Sequence, residues 1–291
     1  MRADILVDQR GILGEGPLWD PERQVLWWID SKNHKVFCYN PGDRSNTEYD
    51  IGQQVGTVVL REKGGLLLSL HHGIGAYDLE SRTLEILCDP EEQLPENRFN
   101  DGKCDPAGRF WTGTMENAEE NFDRGAFYSF DIDGTVKKHF DGVGVSNGIV
   151  WTSDRKTMYY TDSPTRCIDA FDYDEATGAI TNRRVAFEIP EGLGFPDGMT
   201  IDAEDNLWIA LWGGFAVRQF DPKTGKLLAT IEVHAPHVSA CAFGGPNLDE
   251  LYITTARWLM EDSKIEEYPL SGGLFHAPIG VRGTHFFPYR G

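Results

Sequence analysis

Positive charge is scarce in this chain: 27 Lys and Arg stand against 46 Asp and Glu, a formal net charge of −19 over 291 residues. Binding a nucleic acid needs a basic face, so that class of partner is excluded, while the acidic balance favours solubility and draws cations. No apolar run approaches the roughly 20 residues of a membrane span, and the opening Met1-Arg-Ala-Asp-Ile-Leu-Val-Asp has no apolar signal core. No membrane partner is therefore expected, and the cytoplasm is the expected location. Cysteine is sparse too. Cys38, Cys88, Cys104, Cys167 and Cys241 are odd in number, widely spaced and free of any CxxC pair, which reads as reduced thiols and not a disulfide framework. Helical periodicity sustained over a dozen residues is absent, as are linkers and low-complexity segments, so residues 1–291 are expected to form a single domain. What the chain does have is apolar bulk. Forty per cent of its residues are hydrophobic, with eight Trp and sixteen Phe, enough to fill a substantial core and to exclude disorder.

That bulk is distributed periodically. Short β-rich runs end at Asp20, Arg61, Asp105, Thr152, Asp202 and Gly244, about 41 to 50 residues apart. In each repeat a second run follows a polar turn: Val25–Asp30, Leu66–Leu70, Arg109–Thr112, Met158–Asp162, Leu207–Leu211 and Leu251–Thr255. Third runs end in words such as Phe171-Asp-Tyr-Asp and Arg218-Gln-Phe-Asp, and turns such as Lys223-Thr-Gly lead to a fourth. Four short strands per repeat of this length predict an all-β fold, a six-bladed β-propeller. The sixth repeat lacks a good fourth strand, because its tail Val281–Gly291 carries Pro and Gly. The strand-like Ala3–Asp8 lies unassigned before the first repeat. An open edge invites aggregation, so this N-terminal strand is expected to complete the last blade and close the ring.

One register position deserves comparison across the repeats. Five residues before each run end stand Glu15, Asn100, Asn147 and Asp197, with Gly56 and Ser239 in the other two repeats. In a ring these positions converge on one axis. Oxygen donors without Cys or His suit hard cations such as Ca²⁺, Mg²⁺ or Mn²⁺, with Zn²⁺ less favoured but not excluded. The alternative is that Asn147-Gly148 and Asp197-Gly198 simply make tight turns; Glu15-Gly16-Pro17 suits that alternative poorly. On pattern alone the two readings stand level.

Other motifs fail their structural tests. Gly144-Val-Ser-Asn-Gly148 matches the G-x-S-x-G nucleophile elbow, but a strand pattern follows it where a helix is required. Asp172-Tyr-Asp-Glu-Ala-Thr-Gly starts like an EF-hand loop and then departs from it at Ala176 and Thr177. His71 and His72 are adjacent and so face opposite ways on a regular strand, which prevents joint chelation; they read as turn or rim residues. His237 lies near the Ser239 position. Cys104 reads as a small buried filler. The acidic loops Asp89–Glu96 and Glu116–Asp123 are expected to be solvated and to flank the mouth as a partial lid.

Gly14-Glu-Gly-Pro-Leu-Trp-Asp, Asn97-Arg-Phe-Asn-Asp-Gly-Lys, Gly113-Thr-Met, Ser146-Asn-Gly and Pro196-Asp-Gly-Met occur in an order that resembles the regucalcin (senescence marker protein)/gluconolactonase family. Leu251-Tyr-Ile-Thr-Thr-Ala-Arg and Gly272-Gly-Leu-Phe extend the resemblance from about Gly14 to the C-terminus. The resemblance implies a six-bladed propeller with one divalent cation on its axis, held by Glu15, Asn147 and Asp197. It also implies substrate contacts from Arg98 and Asn100. A further acid is found in some members three residues after the Met of Gly-Thr-Met, but Ala118 stands there in this chain. Glu116 is taken as its replacement, with Glu119 and Glu120 as alternatives on the same loop.

The activity implied is hydrolysis of a sugar lactone to the open acid by a carboxylic ester hydrolase, with a divalent cation polarising the carbonyl and Asp197 as general base. A calcium-binding regulator without turnover and a phosphotriesterase-like esterase are the alternatives. Ca²⁺ is the preferred cation, a small lactone the expected partner, and a monomer the expected state.

Overall fold

The computed structural model describes Met1–Gly291 and contains 24 strands. β1 (Asp4–Val7) precedes the repeats. The first repeat folds as β2–β5 (Gly14–Asp20, Val25–Asp30, Lys35–Asn40, Ser45–Asp50), and the second as β6–β9 (Val55–Leu60, Leu66–Leu70, Ile74–Asp78, Thr83–Cys88). The third gives β10–β13 (Asn97–Cys104, Phe110–Glu116, Gly125–Phe130, Val136–Val143), and the fourth β14–β17 (Ser146–Trp151, Thr157–Asp162, Cys167–Asp174, Ala179–Glu188). Each of these sets is a four-stranded antiparallel sheet with its strands in chain order. The fifth set, β18–β21 (Phe195–Ile201, Leu207–Trp212, Ala216–Asp221, Lys226–Glu232), repeats the pattern. Its only ladder pairing with the sixth set, β22–β24 (His237–Gly244, Glu250–Ala256, Leu274–Pro278), is Trp212 with His237. β1 lies outermost in that last set, pairing Asp4 with His276 and Ile5 with Phe275. The fold is thus all-β and built from four-stranded antiparallel sheets, as in a propeller.

The second strand of each set is buried on both faces, which explains its near-continuous apolar sequence: Val25-Leu-Trp-Trp-Ile in β3, Leu66-Leu-Leu in β7, Leu207-Trp-Ile-Ala-Leu in β19. Outer strands such as β5 and β9 are mostly exposed; β5 is correspondingly polar, while β9 leaves Ile86 and Leu87 exposed. Six apolar clusters lie between neighbouring sets. One joins Trp27 and Val36 to Leu68 and Tyr77; another joins Trp19 and Trp28 of the first set to Leu248 and Tyr252 of the sixth. First strands also pack side by side, β2 with β6, β6 with β10, and so on to β22 with β2.

Helix is confined to one turn-and-a-half at Asp262–Glu267 and a 3₁₀ turn at Ser163–Thr165. The tail after β24 forms only isolated bridges, Gly283 with Asp202 and Tyr289 with Arg61, and lays Phe286 and Phe287 beside Lys103. The Pro- and Gly-bearing Val281–Gly291 is a strap across the first strands, not a strand of its own.

Candidate active site

Every first strand breaks register at the same place. The ladder slips between Glu15 and Leu18, Val55 and Thr57, Phe99 and Gly102, Asn147 and Ile149, Pro196 and Met199, and Val238 and Ala240. Such irregularities bend a strand and re-aim its side chains. Here they turn Glu15, Asn100, Asn147 and Asp197 into one cavity of about 330 Å³, which Arg98 and Glu119 also line. The tight-turn alternative for Asn-Gly and Asp-Gly does not describe these segments, which lie inside β14 and β18. Their glycines serve close approach. A Cβ on Gly148 would stand 2.8 Å from the Asp197 carbonyl oxygen, and one on Gly198 would stand 2.5 Å from the Ala240 Cβ.

The amides on the cavity floor are oriented by named partners. Asn147 donates from Nδ2 to Ser163 Oγ at 2.8 Å, and that hydroxyl donates to the Pro196 carbonyl at 2.6 Å. This leaves Asn147 Oδ1 as the acceptor facing the site, where Asn100 Nδ2 reaches it at 3.0 Å. Asn100 Nδ2 also donates to the Ser146 carbonyl at 2.8 Å, and Asn100 Oδ1 accepts from Arg98 Nη1. The Arg98 guanidinium is buried and further held by the Phe99 carbonyl at 3.1 Å, while its Nε has no partner.

The carboxylates are treated differently. Asp197 is buried and its Oδ1 has no hydrogen-bond partner. Burial, then the nearby Glu15 and Asp101, hold the Asp197 carboxyl well above the usual carboxylate range. Burial and Asp101 likewise push Glu15 up to about 8, with Arg98 opposing. Two carboxyls held above their ordinary range beside a fixed amide oxygen form an oxygen-only donor set in which Arg98 opposes their mutual repulsion without cancelling it. Glu15, Asn147 and Asp197 therefore fit a hard divalent cation on the chemistry of their donors, with the orphaned Asp197 oxygen as the clearest sign.

Residues 13–257 match the family described as the SMP-30/gluconolactonase/LRE-like region. The chain belongs to that family. Regucalcin of Xenopus laevis is 36% identical over 288 residues, which cover 97% of this chain and 96% of that protein. A Bacillus subtilis (strain 168) protein, named provisionally as the sugar lactone lactonase YvrE, is 37% identical over 293 residues covering 100% and 99%. The solved structure of a regucalcin from Agrobacterium tumefaciens (strain C58), described as a calcium-binding protein, superposes with a TM-score of 0.94 at 28% identity. It covers 100% of this chain and 97% of the other.

Against the expectations drawn from the gluconolactonase family, Glu116 stands apart. It does not line the cavity; its carboxylate accepts from the Glu120 and Asn121 amides at 3.0 and 2.8 Å and from Asn121 Nδ2 at 2.7 Å. It pins its own loop. Glu119, four residues after Met115, lines the cavity instead, with its backbone in the left-handed region at φ 61°. It accepts from Trp258 Nε1 at 3.1 Å and lies 3.9 Å from Arg98. The loop Asp89–Glu96 is mostly exposed, as expected, with Glu91 as the exception. Glu91 is buried and accepts from Asn97 Nδ2, Thr114 Oγ1 and Tyr128 OH, because those donors need an acceptor beneath the third sheet. His71 and His72 stack on each other at 4.1 Å outside the cavity, and Cys104 is a buried thiol that burial raises far above its ordinary value. His237 stacks on Trp212 and its Nδ1 lies 3.0 Å from the Trp258 carbonyl. Trp212 and Trp258 line the cavity and went unnoticed in the sequence. Trp212 ends the second strand of the fifth set and Trp258 follows that of the sixth, so comparing register at second-strand ends would have found them.

Proposed function

We propose that this chain is a metal-dependent sugar lactone lactonase, a six-bladed β-propeller whose ring the N-terminal strand closes and whose axis carries one divalent cation. The observation that carries the reading is the convergence of Glu15, Asn147 and the unpartnered Asp197 with Arg98 and Asn100 at one cavity floor. The names of the relatives support the reaction class, and the order of the six clusters and first strands supports the blade count.

Glu15, Asn147 and Asp197 would hold the cation, with Ca²⁺ preferred and Mg²⁺, Mn²⁺ and Zn²⁺ as alternatives. When bound, it supplies Lewis-acid polarisation of the lactone carbonyl. Arg98 and Asn100 hold the ring oxygens of the substrate and orient the ester, and Glu119 receives a ring hydroxyl from the lid side. Asp197 acts as general base: it takes a proton from the attacking water as the water oxygen bonds to the carbonyl carbon. The ring C–O bond then breaks, and the proton passes to the departing ring oxygen. The product is the open hydroxy acid. A monomer acting on a small lactone in the cytoplasm, with no nucleic-acid or membrane partner, completes the reading; no helix is long and apolar enough to cross a membrane. A calcium-binding regulator without turnover is the second reading, favoured by the oxygen-only donors. The Arg98–Asn100 hydrogen bond and the Glu119 latch count against it, since cation storage needs neither.

The test is proton release from a panel of aldonolactones by metal-stripped protein, with each cation restored separately. Metal-dependent acid production is expected, and Asp197→Ala should lower kcat by at least about 100-fold at saturating metal. Retention of most turnover by that variant would refute the assignment of the base.

A further inference from the structure

The mouth of the cavity is built unlike its floor. Phe122, Phe195 and Leu259 line it and remain 52%, 42% and 67% exposed. They come from three separate places: the loop after β11, the start of β18 and the loop after β23. Chain proximity therefore does not explain their meeting. Single exposed apolar side chains need no explanation, but a group of them around a pocket marks a binding surface.

The wall they continue is preorganised. Trp212 lies flat on His237 with ring centroids 4.1 Å apart. Trp258 is fixed by its bond to Glu119 and by Lys32 Nζ, 4.2 Å above its ring. The Arg166 guanidinium sits 4.0 Å from the Phe195 ring centroid, and its Nη1 donates to the Gly194 carbonyl at 2.8 Å. Rings held this way lose little freedom when a ligand covers them.

An unsubstituted aldonolactone does not use such a rim. One aromatic face suffices for the C–H face of a sugar ring, and hydroxyls laid against Phe122 and Leu259 would lose water without gaining a hydrogen-bond partner. The volume of about 330 Å³ is in the range of sites that enclose drug-sized ligands.

We propose that the lactone this site takes carries an apolar substituent, alkyl or aryl, of several carbons on its exocyclic arm. That substituent lies across Phe122, Phe195 and Leu259 while the ester is held on the polar floor. The proposal rests on the lactonase reading and deepens it by naming the substrate class.

The experiment compares gluconolactone with its 6-O-butyl ether, whose added bond cannot itself be hydrolysed, on the metal-loaded protein. Full burial of a methylene is worth roughly fourfold in binding. On a half-exposed rim about twofold per methylene is expected, hence on the order of tenfold higher kcat/KM for the butyl ether, expressed mainly as lower KM. Phe122→Ser and Leu259→Ser should each pull that ratio toward one. Ile86→Ser, an exposed apolar residue on β9 away from the cavity, should leave the ratio unchanged. Equal or poorer use of the butyl ether, with gluconolactone still hydrolysed, overturns the apolar-substituent proposal and leaves the lactonase reading intact. Loss of the preference in Ile86→Ser to the same degree as in the rim variants also overturns it. No turnover of either lactone with any restored cation refutes the lactonase reading, and this proposal with it.

Discussion

Without a bound cation the protein should become less stable as the pH rises, with Glu15 contributing beside Asp197 and Asp101, which are raised in the same direction. The Glu15 carboxyl is pushed from the ordinary 4.5 to about 8, first by burial and then by Asp101. Below about pH 4.5 the Glu15 carboxyl is protonated in both folded and unfolded chains, and no penalty exists. As the pH rises the unfolded chain loses the proton first. The folded state then loses relative stability until its own group ionises near pH 8. Each pH unit in that window is worth about 1.4 kcal/mol, so Glu15 alone should cost about 2–3 kcal/mol between pH 5 and pH 7. On the proposed reading a divalent cation should reverse this, because it would bind the folded site with its carboxylates ionised and release their protons.

Urea unfolding of metal-stripped protein, followed by tryptophan fluorescence at pH 5, 6, 7 and 8, measures the slope directly. Wild type should lose stability across the series more steeply than Glu15→Gln, and at pH 7 the metal-free variant should be the more stable protein. Adding Ca²⁺ should restore wild type far more than Glu15→Gln. If metal-free Glu15→Gln is no more stable than wild type at pH 7 and keeps the same slope, the Glu15 carboxyl is not raised by its surroundings and the donor set is misassigned.

Three further outcomes follow from the same geometry. Gly198→Ala forces a Cβ to within 2.5 Å of the Ala240 Cβ and should destabilise by about 1–3 kcal/mol in urea titration, through packing between β18 and β22. Trp258→Phe removes the donor to Glu119 while keeping a ring at the mouth; lactone kcat/KM should fall roughly tenfold, read by proton release, with stability little changed. Asp105→Asn disturbs an acceptor of Trp111 Nε1, Tyr173 OH and Arg109, and should cost about 3 kcal/mol by thermal or urea unfolding.

The parts of the fold legible in the sequence are those where one physical requirement dominates. Second strands are buried on both faces, so β3, β7 and β19 had to be apolar throughout, and the runs read from the sequence agree closely with the strands observed. Ladder positions were legible because a repeated backbone leaves a repeated register. The glycines beside them were not, since Asn-Gly and Asp-Gly look the same in a turn and in a bulged strand pressed against a neighbour. Glu91 and Glu116 show a related limit. Within acidic loops the donors that reach each acid, Tyr128 and Thr114 from the third sheet for Glu91 and Asn121 of its own loop for Glu116, decide which acid is buried or committed.

That limit also separates scaffold from site among the buried acids. Asp105 accepts from the Ala107 and Arg109 amides, from Arg109 Nη1, from Trp111 Nε1 and from Tyr173 OH. Asp202, at the same register in the fifth repeat, accepts from the Glu204 and Asn206 amides, from Trp208 Nε1 and from Gln219 Nε2. In both repeats the tryptophan stands six residues after the acid, a spacing visible in the sequence once its purpose is known. These carboxylates have their lone pairs filled by the protein and tie first strands to their neighbours. Asp197, five residues before Asp202 on the strand that leads into it, is buried with Oδ1 bare. A fold that supplies four donors to one acid and leaves that oxygen of the other without any sets the two apart, as the proposed ligand role of Asp197 requires. The degree of satisfaction, not burial or residue type, is the property that separates Asp197 from Asp202, and it is what supports the proposed role of Asp197.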